Sequence, residues 1–208
     1  MVMDVDSTLI QQEVIDLLAQ EAGVQEQVEQ ITELAMAGQL DFEQSLKRRV
    51  SLLKGLPESA LKDVANMIEV TPGVENLIET VHKMQGRVGV VSGGFGVILE
   101  PIATQLGLDY WLANELELES AVLTGNVLGK VVDANAKAEA LESWAYDLGI
   151  ERSRTVAIGD GANDIQMLQA AGLAIAFRPK EILRKYADLV IEENSLLGAI
   201  EPIRLRAG

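Results

Sequence analysis

Apolar runs alternate with helical periodicity along the chain from about residue 71. Predicted helices near 74–84, 96–106, 136–147, 163–171 and 180–186 each precede an apolar run, in order RVGVVS, DYWLANELELES, TVAIGD, LAIAF and LVIEE. Strands that alternate with helices in this way form βαβ units, so an α/β fold with a parallel sheet is predicted. The DYWLANELELES run and the following AVLTGNVLG indicate two strands paired around a turn.

Residues 10–70 show only helical periodicity. The apolar positions recur at spacings of three and four in four stripes: Ile10, Val14, Leu17, Leu18 and Ala22; Val24, Val28, Ile31 and Ala35; Phe42, Leu46, Val50 and Leu53; and Leu61, Val64 and Ile68 after Pro57. Only residues 2–5 can form a strand before this stretch. We therefore expect residues 11–70 to be a helical insertion after the first strand, with 1–10 and 71–208 building the sheet.

Polar residues follow the predicted strands in three segments, DVDST (4–8), VVSGG (90–94) and GDGAND (159–164), and Lys137 begins a helix after DANA. The carboxyl ends of parallel strands share one edge of the sheet, where ligands bind. Each of these features alone has a simpler interpretation. DVDST would be a strand-end turn, VVSGG a flexible turn, GDGAND a helix N-cap and Lys137 a solvated lysine. Their coincidence at one edge favours a shared site.

Carboxylates that converge at one sheet edge repel one another unless a cation lies between them. Carboxylate oxygens are the ligands of Mg²⁺, which usually keeps positions for water and a substrate phosphate. A hydroxyl, glycine amides and a lysine nearby suit phosphate oxygens. In this interpretation, one of Asp4 and Asp6 attacks phosphorus while the other handles the proton.

Composition removes several other classes of function. The chain of 208 residues has no cysteine and a single histidine, His82, which excludes thiolate catalysis and zinc sites of several histidines. The formal net charge of −15 disfavours nucleic acid as a partner. No apolar stretch approaches the length of a membrane span, and no signal peptide is apparent. We predict a cytoplasmic protein without membrane partners.

Taken together, DVDST, SGG, Lys137 and GDGAND resemble, in order and spacing, the four motifs of the haloacid dehalogenase superfamily. The resemblance implies a Rossmann-like parallel sheet core with an inserted helical cap, and a Mg²⁺-dependent phosphatase that forms an aspartyl phosphate. Asp4 would be the nucleophile and Asp6 the general acid and base. The other implied roles are phosphoryl binding by Ser92, Gly93, Lys137 and Asn163, and Mg²⁺ binding by Asp4, the carbonyl of Asp6 and Asp160, with Asp164 in support.

Longer stretches, including AMAGQLDFEQSLKRRVSLLKGLP and YWLANELE, are similar to members of the superfamily that hydrolyse O-phosphoserine, a small molecule, in the last step of serine biosynthesis. By this resemblance Glu13 would meet the substrate amine, Arg49 its carboxylate, and Met36 and Phe42 would close over the site. Arg49 also falls on the apolar stripe of its helix, where a guanidinium needs an anionic partner; an arginine extending from the edge of the stripe is the simpler alternative.

Two further functions remain open at this point. One is another superfamily phosphatase, or a phosphotransferase that passes the phosphoryl group to an alcohol such as homoserine. The other is a non-catalytic phosphate-sensing module, which the intact Asp4 and Asp6 disfavour. The sequence does not indicate an oligomeric state.

Overall fold

The computed structural model describes residues 1–207 and contains one seven-stranded sheet of order β4-β3-β2-β1-β5-β6-β7. Neighbouring strands are parallel, except that β4 runs antiparallel to β3. The predicted parallel sheet and hairpin are therefore confirmed. The strands are β1 (Val2–Met3), β2 (Gly89–Phe95), β3 (Tyr110–Glu119), β4 (Val122–Leu128), β5 (Val156–Gly159), β6 (Leu173–Phe177) and β7 (Leu189–Ile191).

Helices cover both faces of this sheet, as expected when crossovers join parallel strands. Apolar residues of α7 and α8 pack with Val91 and Ala157 on one face, whereas α5 and α6 pack with Val90 and Ile158 on the other. The helices are α1 (Val14–Glu21), α2 (Gln25–Met36), α3 (Phe42–Leu52), α4 (Glu58–Met67), α5 (Val74–Lys83), α6 (Gly96–Leu106), α7 (Ala134–Asp147), α8 (Ile165–Ala170) and α9 (Ile200–Ala207).

The chain leaves and re-enters the sheet region at one narrow crossing. The Gln11 N–H donates to the Glu69 carbonyl and the Thr71 N–H to the Leu9 carbonyl, both at 2.9 Å, and an antiparallel bridge joins Ile10 to Val70. The prediction that Ile10 belongs to the first helix is wrong: α1 begins at Val14, and Ile10 is buried at the crossing. The helices α1–α4 lie between the two strands of this crossing, and we treat residues 11–70 as a proposed cap.

The proposed cap also touches the β3–β4 hairpin. The Gly55 N–H donates to the Leu123 carbonyl at 2.8 Å, and the Leu123 N–H donates to the Leu56 carbonyl at 2.9 Å. No pattern in the sequence predicts this second contact between the proposed cap and the sheet. It joins the segment after α3 to the edge strand β4, whose backbone groups would otherwise be unpaired.

A second difference concerns the helix predicted near 180–186. The structure has a 3₁₀ segment there, Glu181–Tyr186, and short segments of this kind are common as connectors. The Lys180 N–H just before it donates to the Asp160 carbonyl at 2.9 Å, which fixes the loop to the end of β5.

Within residues 1–207, no helix combines the length and apolarity needed to cross a bilayer.

Candidate active site

The central position of β1 places Asp4 in the middle of the carboxyl edge. Met3 pairs with Val90 of β2 on one side and with Ile158 of β5 on the other. Asp4 follows immediately, and its N–H donates to the Ile158 carbonyl at 2.9 Å. Ser92 and Gly93 within β2 and Asp160 after β5 therefore flank Asp4 at one edge of the sheet.

Lys137 lies between two carboxylates at the bottom of the site. Its Nζ is 2.5 Å from Oδ1 of Asp4 and 2.8 Å from Oδ1 of Asp164, and all three side chains are at most 4% exposed. Burial lowers the pKa of Lys137, but the charges of Asp164 and Asp4 outweigh it and raise that pKa above its ordinary value. The lysine is positioned by α7, whose first turn is capped by Asp133: the Ala136 N–H donates to the Asp133 carboxylate at 2.8 Å.

The Asp4 carboxyl is held in surroundings that disfavour its charge. Burial raises its pKa well above the ordinary value, the nearby Asp164 raises it further, and Lys137 opposes both effects. Lys137 and the Val5 N–H, at 2.7 Å, both contact Oδ1. Among the hydrogen bonds of residues 1–207, none reaches Oδ2, so this oxygen is available to a ligand.

Asp164 supports the neighbouring loop with its second oxygen. Oδ2 accepts from the N–H groups of Asp160 and Gly161, both at 3.1 Å. One oxygen from each of Asp4, Asp160 and Asp164 falls within 4.8 Å of the others, a donor set that suits a hard divalent cation. Burial raises the pKa of Asp160, and the ammonium of Lys180 opposes this.

The Asp6 side chain connects the turn after β1 both to Ser92 of β2 and to the start of α1. Its Oδ2 accepts from the Ser92 hydroxyl at 3.0 Å, and its Oδ1 accepts from the Val14 N–H at 2.8 Å. Burial raises the pKa of Asp6, and the hydrogen bonds from Val14 and Ser92 oppose that rise. The turn is strained at Ser7, whose φ of 57° is uncommon for a residue other than glycine.

The loop Ser92–Gly94 needs its two glycines for space. A Cβ on Gly93 would lie 2.7 Å from Cζ of Phe42, and one on Gly94 would lie 2.9 Å from Oγ of Ser92. The Phe42 ring, from the first turn of α3, therefore covers the loop. Asn163 lies over the other loop, because a Cβ on Gly161 would meet its Oδ1 at 2.6 Å.

Glu13 immediately precedes α1, and its side chain extends to the site. Its Oε1 accepts from the Ser7 hydroxyl at 2.9 Å. Burial raises its pKa to about 7; the charge of Asp6 adds to the rise, and the Ser7 hydrogen bond and Lys180 oppose it.

Arg49 is a half-buried cation on α3. Its Nε donates to the Ser45 carbonyl at 3.4 Å. The ion pairs found in residues 1–207 include none to Arg49. Burial lowers its pKa, and the charges of Asp16, Glu13 and Asp6 oppose this.

Met36, by contrast, ends α2 with 79% of its surface exposed, so the structure leaves its side chain at the surface of the protein.

Two residues at the site were not predicted from the sequence. The buried Asn114 side chain donates to the Gly93 carbonyl and accepts from the Val132 N–H, each at 2.8 Å. Nζ of Lys180 is 3.5 Å from Oδ2 of Asp160. Asn114 lies within YWLANELE, a stretch whose resemblance was recognised without a role for this residue, and it interrupts an apolar run at a predicted strand. Lys180 lies in the loop after β6.

A family model described as haloacid dehalogenase-like hydrolase matches residues 1–169. Phosphoserine phosphatase SerB2 of Mycobacterium tuberculosis is 54% identical over 187 residues, which are 90% of this chain and 46% of that protein. The chain thus spans about half the length of this curated relative. A phosphoserine phosphatase of Streptococcus thermophilus is 47% identical over 97% of this chain and 94% of its own.

A solved structure described as a phospho-aspartyl intermediate analogue of phosphoserine phosphatase superposes with a TM-score of 0.91. It is 48% identical in sequence, and the match covers 97% of each chain. The similarity in fold therefore includes both the sheet and residues 11–70.

Proposed function

The chain belongs to the haloacid dehalogenase-like hydrolases, and on this premise we propose that it hydrolyses O-phosphoserine to serine and phosphate with the aid of Mg²⁺. The observation that carries the proposal is the pairing of two sets of groups. A buried carboxylate–lysine cluster lies at the sheet edge, and the half-buried Glu13 and Arg49 are near enough to Asp6 for their charges to interact with it. The names of relatives that are about half identical over nearly the whole chain support the same substrate.

The reaction uses Asp4 as the nucleophile. Its carboxylate attacks phosphorus, the bond from phosphorus to the serine oxygen breaks, and the leaving oxygen takes a proton from Asp6. A water then gives a proton to Asp6 and attacks the aspartyl phosphate, which releases phosphate and restores Asp4. The raised pKa of Asp6 suits a group that carries this proton.

Three groups hold the phosphoryl oxygens in this proposal, and a fourth lies near them. The Ser92 hydroxyl, the Gly93 N–H and the Lys137 ammonium supply donors to its oxygens, and Asn163 lies at the edge of the site. Lys137 also keeps Asp4 in place by the 2.5 Å contact with Oδ1. Such fixed donors stabilise charge on the phosphoryl group during transfer.

The carboxylates fit a divalent cation, and we propose that it is Mg²⁺. Asp4, Asp160 and the backbone carbonyl of Asp6 would hold it. Asp164 would support these ligands, because both of its oxygens already accept hydrogen bonds. When bound, Mg²⁺ would withdraw charge from the phosphoryl oxygens and so ease attack by an anionic carboxylate.

Glu13 and Arg49 give the site its preference for an amino acid. Phosphoserine has an ammonium and a carboxylate beside its phosphate, and a closed site must pair both. Glu13 offers a carboxylate to the ammonium, and the planar guanidinium of Arg49 suits the substrate carboxylate. Phe42 covers the phosphate loop, and Met36 would join it if the end of α2 moved towards the site.

A phosphate-release assay on a small panel tests the proposed function. The panel contains O-phosphoserine, O-phosphothreonine, a sugar phosphate and an aryl phosphate, each with Mg²⁺ or with chelator, and with homoserine as an added acceptor. We expect Mg²⁺-dependent release, highest for O-phosphoserine and unaffected by homoserine. Release that is equal across the panel would contradict the assignment of O-phosphoserine as the substrate, and phosphohomoserine formation would show a transferase.

The predicted location remains the cytoplasm, in keeping with a chain that contains no cysteine.

A further inference from the structure

Asn114 lies where the third strand changes partner. It pairs in parallel with Phe95 of β2, whereas the next residue, Glu115, already pairs with Leu128 of the antiparallel β4. Its side chain is polar and only 1% exposed. A buried amide at a strand junction is costly unless both of its ends are satisfied, so its two partners define its role.

Both ends of this amide are used. Nδ2 donates to the Gly93 carbonyl and Oδ1 accepts from the Val132 N–H, each at 2.8 Å. The reverse orientation of the amide would place an acceptor against a carbonyl and a donor against an N–H. The side chain is thus locked in one orientation between two loops.

The first partner belongs to a peptide unit that is held on both sides. The Gly93 carbonyl and the Gly94 N–H form one peptide; Asn114 binds the carbonyl, and the N–H donates to Oγ of Ser92 at 2.7 Å. The Ser92 hydroxyl is therefore held between this peptide and Asp6, to whose Oδ2 it donates at 3.0 Å. Glycine has no Cβ to restrict its backbone, so the loop depends on such contacts for its shape.

The second partner leads to the lysine of the site. Val132 is followed by Asp133, whose carboxylate caps α7 through the Ala136 N–H. Lys137 is the next residue of that first turn. The position of Val132 therefore influences where the N-terminus of α7 lies relative to the Ser92–Gly94 segment. The ammonium of Lys137 moves with that end of α7.

We infer that Asn114 is a positioning residue that holds Ser92 and Gly93 at a fixed separation from Lys137, so that all three can bind one phosphoryl group. This inference rests on the proposed function, because it takes these three groups as the phosphoryl ligands. It adds a residue that would not touch the substrate but would set the spacing of the groups that do. We expect loss of this spacing to weaken phosphoryl binding and to spare metal binding, because Asn114 itself contacts none of the proposed metal ligands Asp4, Asp6 and Asp160.

Two variants and one control test the inference. Asn114→Ala removes both hydrogen bonds. Asn114→Asp has nearly the same shape and keeps the acceptor for Val132, but it places an oxygen against the Gly93 carbonyl. Leu77→Ala in α5, a buried residue outside the site, serves as a control that loses stability without touching the loop.

The measurements are the dissociation constants for inorganic phosphate at saturating Mg²⁺ and for Mg²⁺ alone, kcat for two substrates, and unfolding by urea. We expect both Asn114 variants to bind phosphate about 10–100-fold more weakly, the effect of leaving buried polar groups of the site without their partner, with Mg²⁺ affinity unchanged. The kcat values for O-phosphoserine and an aryl phosphate should fall by the same factor. Leu77→Ala should lose stability and keep its phosphate affinity.

Folded Asn114 variants that bind phosphate as tightly as the unaltered protein would overturn the inference, and so would a parallel loss of phosphate affinity in Leu77→Ala. If Asn114→Ala does not fold, the nearly isosteric Asn114→Asp decides the matter. An unaltered protein with no Mg²⁺-dependent phosphate release would overturn the proposed function and this inference together. An active protein with unaffected variants would overturn the inference on Asn114 alone.

Discussion

The sheet edge and the inserted helices hold charge in opposite ways. At the sheet edge, Lys137 lies within 2.8 Å of the carboxylates of Asp4 and Asp164, and these contacts hold the side chains in place within the protein itself. On the inserted helices, Arg49 is half-buried without a carboxylate partner among residues 1–207, and Glu13 has a pKa raised to about 7. The contacts of the sheet edge are thus formed without a ligand, whereas Arg49 of the proposed cap needs an anionic partner that a ligand would bring.

This contrast assigns the two regions separate tasks. A cluster whose side chains are fixed by contacts with one another suits chemistry that is common to all phosphomonoesters, since fixed groups need no reorganisation during reaction. Charges left without partners discriminate between ligands, since a ligand that lacks the matching group leaves them buried and unsatisfied. Changes at the sheet edge should therefore affect all substrates, and changes in the cap only those that are amino acids.

The largest expected effect comes from the nucleophile. Asp4→Asn should lower kcat by more than about 10⁴-fold for both O-phosphoserine and an aryl phosphate, because no covalent intermediate can form. Steady-state kinetics and a thermal unfolding curve would show that activity is lost from a folded protein. Beryllium fluoride, a phosphoryl mimic, should add to Asp4 in the unaltered protein; its location on any other residue would refute the assignment.

Asp6 should matter next, and unequally for the two substrates. Asp6→Asn should lower kcat for O-phosphoserine by roughly 10²–10⁴-fold, the usual contribution of a general acid or base. The aryl phosphate should be less affected, because its leaving group departs without a proton. Turnover of O-phosphoserine near the unaltered rate would remove Asp6 from the mechanism.

The sequence was sufficient to predict the site at the sheet edge because strand topology fixes it. Asp4 and Asp160 each follow a strand, and parallel strands bring their carboxyl ends together whatever the details of packing. Ser92 was expected to end its strand but lies within β2, where the pairing with β3 is interrupted between Val91 and Phe95. The same reasoning failed for Ile10, whose apolar side chain fits a helix stripe equally well but is buried at the chain crossing. It could not find Asn114, since one asparagine in a strand has no periodicity from which its partners could be inferred.

The cap was harder to predict because its side chains depend on contacts between distant segments. The ring of Phe42 lies over Gly93, fifty-one positions along the chain, and only the tertiary arrangement of α3 against β2 determines this. Met36, expected beside it from the resemblance, is exposed at the end of α2. Its closure over the site remains a prediction.

A smaller effect should follow from the pH dependence of the cap. Because the pKa of Glu13 is raised to about 7, the group is neutral below that pH and negatively charged above it. The kcat/KM for O-phosphoserine, relative to that for an aryl phosphate, should fall by up to about tenfold per pH unit below 7 as the attraction for the ammonium is lost. Glu13→Gln should show a low ratio without this pH dependence; an unchanged profile in that variant would exclude Glu13 as the titrating group.

The separation of tasks is tested most directly by the ratio of kcat/KM for O-phosphoserine to that for an aryl phosphate in Arg49→Ala. The adjacent, exposed Arg48 provides the matched control Arg48→Ala. We predict that Arg49→Ala weakens O-phosphoserine turnover by about 2–5 kcal/mol in kcat/KM, as for one side of a buried charge pair. Aryl phosphate hydrolysis should stay nearly unchanged, and Arg48→Ala should alter neither. An equal loss for both substrates, or no loss for either, would contradict the assignment of chemistry to the sheet edge and specificity to the cap.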